Sequence, residues 1–316
     1  MSKRRRSSRP PSIPQRRPLD PAAPPKLYEL ERFSHADLAR WNELSQRLDE
    51  LYAEYYFGLE RQRTARRAEL LAALRQRPAP PLKLDNWVRI VPYEYCLEPL
   101  SPAGSVRRHG GRFNIGRELG EGAFRAFPAL YLASNLETAY REYFQLSRDQ
   151  SLGGLTPEEL SLQPTDSYLV ALVRGEIASA FDTRDRAALK PFVDIIRTFE
   201  MPLRVRQLAR SLKLEIGDLV RTVNQLQRVL AASDWRSWPL QFDLPANSQV
   251  FGQLVRDAGF EALIYSSTQS NEPCVAVLPE NLRDSPSHLE IVGSYPYAAH
   301  VVALNAETVG ALLQNF

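Results

Sequence analysis

The sequence predicts an α+β protein with a mixed β-sheet, an N-terminal helical arm and a helical insertion. Three observations lead to this class. An amphipathic helical pattern begins near Ser34 and ends at the proline cluster 78–81. Six short strand-like runs follow, and a long helical stretch separates the third run from the fourth. Because the strands do not alternate regularly with helices, the pattern disfavours a doubly wound α/β sheet.

Residues 1–28 are predicted to form a disordered, basic tail. Residues 1–26 contain eight Lys or Arg, one acidic residue and seven prolines. Such a composition cannot bury enough apolar surface to offset the entropy lost on ordering. The whole chain has a net charge of only +3, so the rest of it is slightly acidic. Nucleic-acid contact is therefore expected to be weak and confined to this tail.

Residues 29–82 are predicted to form the helical arm. Its apolar residues recur at spacings of three and four, which makes one stripe on a helix; they are Leu38, Trp41, Leu44, Leu48, Leu51 and Tyr55. Gly58 is a candidate position for a break or bend. The stripe could contact a second chain, but it is short for a two-chain coiled coil, so we expect it to pack on its own domain.

Residues 83–316 are predicted to form one domain. The strand-like runs lie at 87–94, 129–134, 168–174, 262–267, 274–278 and 288–293, and the insertion, about 185–232, has apolar spacing that fits two helices. The two cysteines and four histidines show no metal-ligand spacing, so no metal site is expected. With no long apolar run and no signal-peptide pattern, a cytoplasmic protein without a membrane partner is expected.

A glycine-rich stretch at 110–116 carries the first chemical signal. It matches neither a P-loop, because Arg117 and Glu118 stand where Lys and Ser/Thr are needed, nor the GxGxxG dinucleotide fingerprint. A turn between strands would explain the glycines. It does not explain Arg112, whose planar guanidinium close to exposed backbone N–H groups is well suited to phosphate oxygens.

A helix that follows the strand 129–134 carries the second signal. Ser134 and Glu137 form a Ser-x-x-Glu pattern that predicts a capping box. Glu142 lies two turns into this helix. A glutamate in mid-helix is usually solvated, but Tyr143 and the neighbouring Ala139 predict partly apolar surroundings.

These residues together resemble the RES domain, a family named for its Arg, Glu and Ser and found in toxins of toxin–antitoxin pairs and in larger proteins. The resemblance covers about 87–148 and 240–280. It rests on the order Arg89, then GGRFN with Gly111, Arg112 and Asn114, then LYLAS with Tyr131, then TAYREY with Glu142, then Ser266 and Ser267. Ser266 stands where the family usually has proline, so Ser267 is the predicted family serine, with Ser266 as the alternative.

The resemblance implies a fold akin to the ADP-ribosylating toxins, with a split sheet and a cleft for NAD⁺. It implies an enzyme that breaks the nicotinamide–ribose bond of NAD⁺, which is its substrate, with no further cofactor. The expected catalytic residues are Glu142, Arg112 and Ser267. Glu142 would stabilise the sugar cation. The expected substrate-binding residues are Arg89, Tyr131, Gly111, Asn114 and Ser266.

Several alternatives stay open after this comparison. The acceptor could be water, phosphate or a protein side chain, so the enzyme could be a glycohydrolase, a phosphorylase or an ADP-ribosyltransferase. The protein could instead have kept the fold for binding or regulation and lost turnover. The presence of Arg112, Tyr131, Glu142 and Ser267 together favours an enzyme. The resemblance also implies that the protein could be a toxin with an antitoxin partner.

Overall fold

The computed structural model describes residues 35–146, 167–293, 295 and 299–314, apart from the side chains of 35–38. The predicted tail, 1–28, lies outside these residues. The chain divides into two compact units, Met1–Gln46 and Arg47–Phe316. The second unit includes the later part of the predicted arm, so no boundary between units lies at 82/83. Among the described residues, no helix is long and apolar enough to cross a membrane.

The helices of the described chain lie before, between and after the strands. In chain order they are α1 (His35–Ala65), α2 (Arg67–Arg75), α3 (Leu136–Phe144), α4 (Arg186–Ile196), α5 (Leu203–Leu212), α6 (Val223–Leu230), α7 (Ser237–Phe242), α8 (Asn247–Asp257) and α9 (Val309–Gln314). The predicted break at Gly58 is wrong, because α1 continues through it and ends at Ala65. Gly58 serves packing instead, since a Cβ at this position would collide with Pro202.

The apolar stripe of α1 is covered in its second half. Leu51 is buried against Val205 and Leu208 of α5, and Leu48 packs at the edge of the same cluster. Trp41, earlier in the stripe, is exposed. The expected packing of the arm on its own chain is thus confirmed for residues 48–55.

The insertion contains three helices rather than the predicted two, because α4 precedes the two apolar patterns that were recognised. Pro191 lies inside α4, and an internal proline normally argues against a helix. Asp185 begins α4 by accepting a hydrogen bond from the Ala187 amide. Helical structure also continues beyond residue 232, through α7 and α8.

Within the described parts of the chain, eight strands form one mixed sheet, which confirms the predicted α+β class. They are β1 (Leu82–Pro92), β2 (Leu130–Ala133), β3 (Tyr168–Ile177), β4 (Ala180–Asp182), β5 (Ala262–Ser266), β6 (Pro273–Val277), β7 (His288–Val292) and β8 (Ala303–Leu304). Their order is β4-β5-β6-β2-β1-β3-β7-β8, and only the β4–β5 pair is parallel. All six predicted strands are present. The two that were missed, β4 and β8, are too short to show a pattern.

The sheet is nearly divided between β1 and β2. These strands pair through one register position, Val88 with Ala133. By contrast, β1 pairs with β3 from Leu82 to Pro92. The sheet therefore consists of two well-paired halves, β4-β5-β6-β2 and β1-β3-β7-β8, joined by a narrow connection. A cleft can open where the two strands diverge.

Candidate active site

A cavity of about 200 Å³ lies at this divergence. Its walls are formed by β1 and β2, by α3, by the glycine-rich loop 110–116 and by Trp235 and Arg236, which lie between α6 and α7. The predicted site residues that line it are Arg89, Gly111, Arg112, Tyr131 and Glu142. The remaining predicted residues lie beside, beneath or away from it.

Glu142 and Ser267 are in direct contact. The Ser267 hydroxyl donates a hydrogen bond of 2.6 Å to Oε1 of Glu142, a short distance typical of a bond to a charged acceptor. Oε2 of Glu142 has no hydrogen-bond partner within the described chain and is available to a ligand. Glu142 is half-buried, as its apolar neighbours predicted.

Ser267 is held by the turn that follows β5. Its Oγ accepts hydrogen bonds from the backbone N–H groups of Gln269 (3.0 Å) and Ser270 (3.1 Å), and the side chain is buried. With both acceptor positions filled, its single proton is directed at Glu142. Ser267 is therefore arranged to orient the carboxylate.

Helix α3 begins one residue later than predicted. The predicted cap at Ser134 is wrong: Asn135 is the N-cap, and its side chain accepts from the Thr138 amide at 2.8 Å. Asparagine caps a helix as well as serine does. Glu137 instead forms an ion pair with Arg141 one turn later.

Ser266 does not reach Glu142. It lines a separate cavity together with Phe113 and Thr183. Of the two adjacent serines, Ser267 is the one that the structure brings to Glu142.

The guanidinium of Arg112 joins three segments. Its Nη1 donates to the carbonyl oxygens of Leu230 (3.3 Å) and Ala232 (2.9 Å), and its Nη2 donates to Oγ1 of Thr268 (3.0 Å). Leu230 ends α6, and the partial negative charge at a helix C-terminus favours a cation there. Arg112 is buried, so most of its hydrogen-bonding capacity is committed to the protein.

Asn114 lies beneath the cavity rather than in its wall. It is completely buried. Its Oδ1 accepts from the Gly111 amide (3.0 Å) and from the Tyr131 hydroxyl (2.8 Å), and its Nδ2 donates to the carbonyls of Ser105 and Phe127. The hydrogen-bonding groups of the Asn114 side chain are thus all occupied by the protein. Two of its partners, Gly111 and Tyr131, line the cavity.

Gly111 and Tyr131 are packed too closely for any side chain between them. A Cβ on Gly111 would lie 2.6 Å from the Tyr131 hydroxyl and 2.7 Å from Oδ1 of Asn114. The Tyr131 hydroxyl also accepts from the Phe113 amide at 2.9 Å. Because this hydroxyl is fully engaged, Tyr131 can offer its ring, rather than its oxygen, to a ligand.

Arg89 points away from Glu142. Its strand neighbours Val88 and Ile90 belong to the core cluster that includes residues of α3, and side chains alternate along a strand. The Arg89 guanidinium donates instead to the carbonyl of Ser101 at 2.7 Å, and burial lowers its pKa to about 10. Arg89 is among the residues that line the cavity, but its guanidinium is hydrogen-bonded to Ser101 and to none of the other predicted residues.

Three functional candidates were missed by the sequence analysis. Trp235 and Arg236 follow the predicted insertion and have no motif to mark them. Gln249 of α8 is completely buried, and its Nε2 lies within 3.1 Å of the carbonyl oxygens of His109, Gly111 and Asn114. It fastens the glycine-rich loop to α8. A buried glutamine on an amphipathic helix was the signal available in the sequence.

Burial in the wall of the cavity raises the pKa of two tyrosine hydroxyls and one thiol. Burial raises the pKa of the Tyr131 and Tyr265 hydroxyls and of the Cys274 thiol, with the charge of Glu142 adding to the effect in each case. These groups therefore remain protonated at neutral pH, and Glu142 is the carboxylate of the cavity wall. No cluster of three or more His, Cys, Asp or Glu suited to a metal ion occurs among the described residues.

Comparison with known proteins identifies the family. No curated protein matches the sequence. A chain in the crystal structure of the M. tuberculosis MbcT–MbcA toxin–antitoxin complex is similar at 15% identity and a TM-score of 0.39, over 77% of this chain and 96% of that one. The family model of the RES domain matches residues 86–299, which is most of the chain. The chain therefore belongs to the RES domain family.

Proposed function

We propose that this protein is an enzyme that consumes NAD⁺ by breaking its nicotinamide–ribose bond. The observation that carries this proposal is the Glu142 carboxylate, which Ser267 orients at the wall of a partly apolar cavity that also holds two guanidinium groups. The family resemblance implies the substrate. The arrangement matches the charges of that substrate and of its transition state.

The proposed reaction requires a fixed negative charge beside the ribose. When the bond between C1″ of the nicotinamide-bearing ribose and the pyridinium nitrogen breaks, the electron pair leaves with neutral nicotinamide, and the sugar takes on oxocarbenium character. An oriented carboxylate stabilises that cation. Glu142 provides it, with Oε2 directed to the ribose and Oε1 held by Ser267. The ring of Tyr131 would pack on the nicotinamide.

The acceptor is water or phosphate in this proposal. Either one adds its oxygen to C1″; water releases one proton as it does so. The guanidinium groups near Glu142 would assist a phosphate acceptor, whereas hydrolysis needs only water beside the cation. Transfer to a protein side chain is the second candidate, since Arg236 lines the cavity and is exposed to solvent.

The test is incubation of the purified full chain with NAD⁺, with and without inorganic phosphate, followed by separation of products by mass. We expect free nicotinamide together with ADP-ribose, or with ADP-ribose 1″-phosphate when phosphate is required. ADP-ribose covalently bound to an added protein would indicate the second candidate. If NAD⁺ stays intact under all conditions, the enzymatic proposal is contradicted and a binding role is favoured.

The family resemblance also leads us to propose that the protein acts as a toxin with an antitoxin partner. Expression of the full chain alone should then arrest growth of a bacterial host, and Glu142→Gln should relieve the arrest. Equal growth with both versions would contradict this role without affecting the enzymatic proposal.

A further inference from the structure

Two guanidinium groups face the cavity, and they differ in what they can offer a ligand. Arg112 comes from the glycine-rich loop, and Arg236 comes from the segment 231–236 between α6 and α7. Both lie against the indole of Trp235, at 5.9 Å and 4.5 Å from the ring centroid. Trp235 is buried, whereas Arg236 reaches solvent.

Arg112 has little capacity left for a ligand. A guanidinium has five N–H donors. Three of the Arg112 donors go to Leu230, Ala232 and Thr268. Two of these acceptors, the carbonyls of Leu230 and Ala232, lie at the start of the segment that carries Arg236. Arg112 therefore holds that segment in place.

Arg236 has most of its donors available. Its one hydrogen bond to another described residue runs from Nη1 to Oε1 of Gln145, at 2.8 Å, at the end of α3. Burial and the positive charge of Arg112 lower the pKa of Arg236, and the negative charge of Glu142 offsets this only in part. Two like charges beside one carboxylate leave the cavity with a net positive charge, which a bound anion would neutralise.

We propose that Arg236 binds the diphosphate of the substrate and that Arg112 is a positioning residue that presents Arg236. This inference rests on the proposed function for the identity of the substrate. It assigns the anion-binding role to a residue outside the RES motifs. A planar guanidinium with several available donors suits the adjacent oxygens of a diphosphate.

The first experiment measures ADP binding by titration calorimetry, which needs no turnover. Arg236→Gln should weaken binding about 10- to 100-fold, as expected for loss of hydrogen bonds to a charged group. Arg228→Gln is the matched control, since it removes the same charge from an exposed residue of α6 outside the cavity, and it should bind as the unmodified protein does. Unchanged binding in Arg236→Gln, equal losses in both variants, or no ADP binding by the unmodified protein would each overturn the proposal.

The second experiment separates the two arginines by a double-mutant cycle. Arg112→Lys should weaken ADP binding in the unmodified background, because the ammonium of lysine does not reproduce the planar geometry with which Arg112 contacts two carbonyls and Thr268. In the Arg236→Gln background, Arg112→Lys should weaken ADP binding little further, because Arg112 acts through Arg236. The same fold-loss in both backgrounds would show that Arg112 contacts the diphosphate itself.

Kinetics then distinguish this subsite from the proposed reaction. Arg236→Gln should raise KM for NAD⁺ about 10-fold or more with a smaller change in kcat. Cleavage of nicotinamide riboside, which lacks the diphosphate, should be unaffected. If the unmodified protein binds ADP through Arg236 but never cleaves NAD⁺, the reaction fails and the subsite stands. If it cleaves NAD⁺ and the KM of Arg236→Gln is unchanged, the subsite fails and the reaction stands.

Discussion

Ser267 and Glu142, 125 positions apart in the sequence, are joined by a hydrogen bond of 2.6 Å. The bond connects the turn after β5 to α3. A second contact, between Oγ1 of Thr138 and Oγ of Ser270 at 2.9 Å, joins the same two segments. The carboxylate is therefore oriented before any ligand arrives.

Ser267→Ala should lower kcat for NAD⁺ cleavage about 10- to 100-fold. The change removes the donor to Glu142 and leaves two backbone N–H groups without their acceptor, and such losses cost roughly 1–3 kcal/mol. Rates measured at saturating NAD⁺ test this. Ser266→Ala is the control, because Ser266 lines a different cavity, and it should keep normal kcat. Equal activity of both variants would show that Ser267 does not orient the carboxylate.

Gly111→Ala should abolish most activity and lower the melting temperature. The added methyl group would force Tyr131 and Asn114 out of position, and overpacking of this kind costs roughly 1–3 kcal/mol. Gly217→Ala is the matched control, since a Cβ there meets no atom within 4 Å. Thermal unfolding and NAD⁺ turnover of both variants check the expectation. A Gly111→Ala variant that keeps both properties would contradict the close packing.

The protein should lose stability in alkaline solution. Tyr131 and Cys274 have raised pKa values in the folded state, above the ordinary 10.0 and 9.0. Their protonated forms are favoured by folding, so this contribution is complete below the ordinary values and is lost as the pH rises above them. The melting temperature should therefore begin to fall as the pH rises through 9.0, and should fall more steeply above 10.0.

The contribution of Cys274 can be separated from the rest. As the pH rises, the melting temperature of Cys274→Ala should fall less than that of the unmodified protein. The control is Cys96→Ala, which removes another buried cysteine, one that lies outside the cavity wall. A Cys274→Ala variant with the full pH dependence would show that the thiol does not contribute.

Leu48→Asp should lower the melting temperature at every protein concentration. Leu48 packs beside Leu51, Val205 and Leu208, and a charge at this edge should cost about 2 kcal/mol or more. Leu44→Asp, on an exposed position of the same helix, is the control and should melt normally. A Leu48→Asp variant that keeps its melting temperature and only changes its oligomeric state in light scattering would contradict intramolecular packing of the arm.

Local patterns allowed the strands and part of the site to be predicted. Arg112, Tyr131 and Glu142 lie within short motifs that can be recognised in the sequence. The structure brings these three residues together in the wall of one cavity. The face on which Arg89 lies relative to the earlier residues of β1 is set by the register shift between Leu84 and Trp87, which no local pattern predicts. A one-residue change in register moves a side chain to the other face of a sheet.

Other parts of the site depend on contacts between distant segments. The amide side chain of Asn114 is of a kind that can bind a ligand, but it forms hydrogen bonds to five protein atoms instead. Arg236 lines the cavity, and Arg112 hydrogen-bonds to the segment after α6 that carries it. Neither fact can be obtained from spacing, since each arises from contacts between segments that the fold brings together.

The most direct test of the account compares NAD⁺ loss by the unmodified protein and by Glu142→Gln. Glutamine keeps the size of the side chain and can still accept the Ser267 hydrogen bond, so the melting temperature should be nearly unchanged. Loss of the negative charge should reduce turnover at least about 100-fold. A Glu142→Gln variant that folds normally and consumes NAD⁺ at the unmodified rate would contradict the central claim that this carboxylate stabilises the sugar cation.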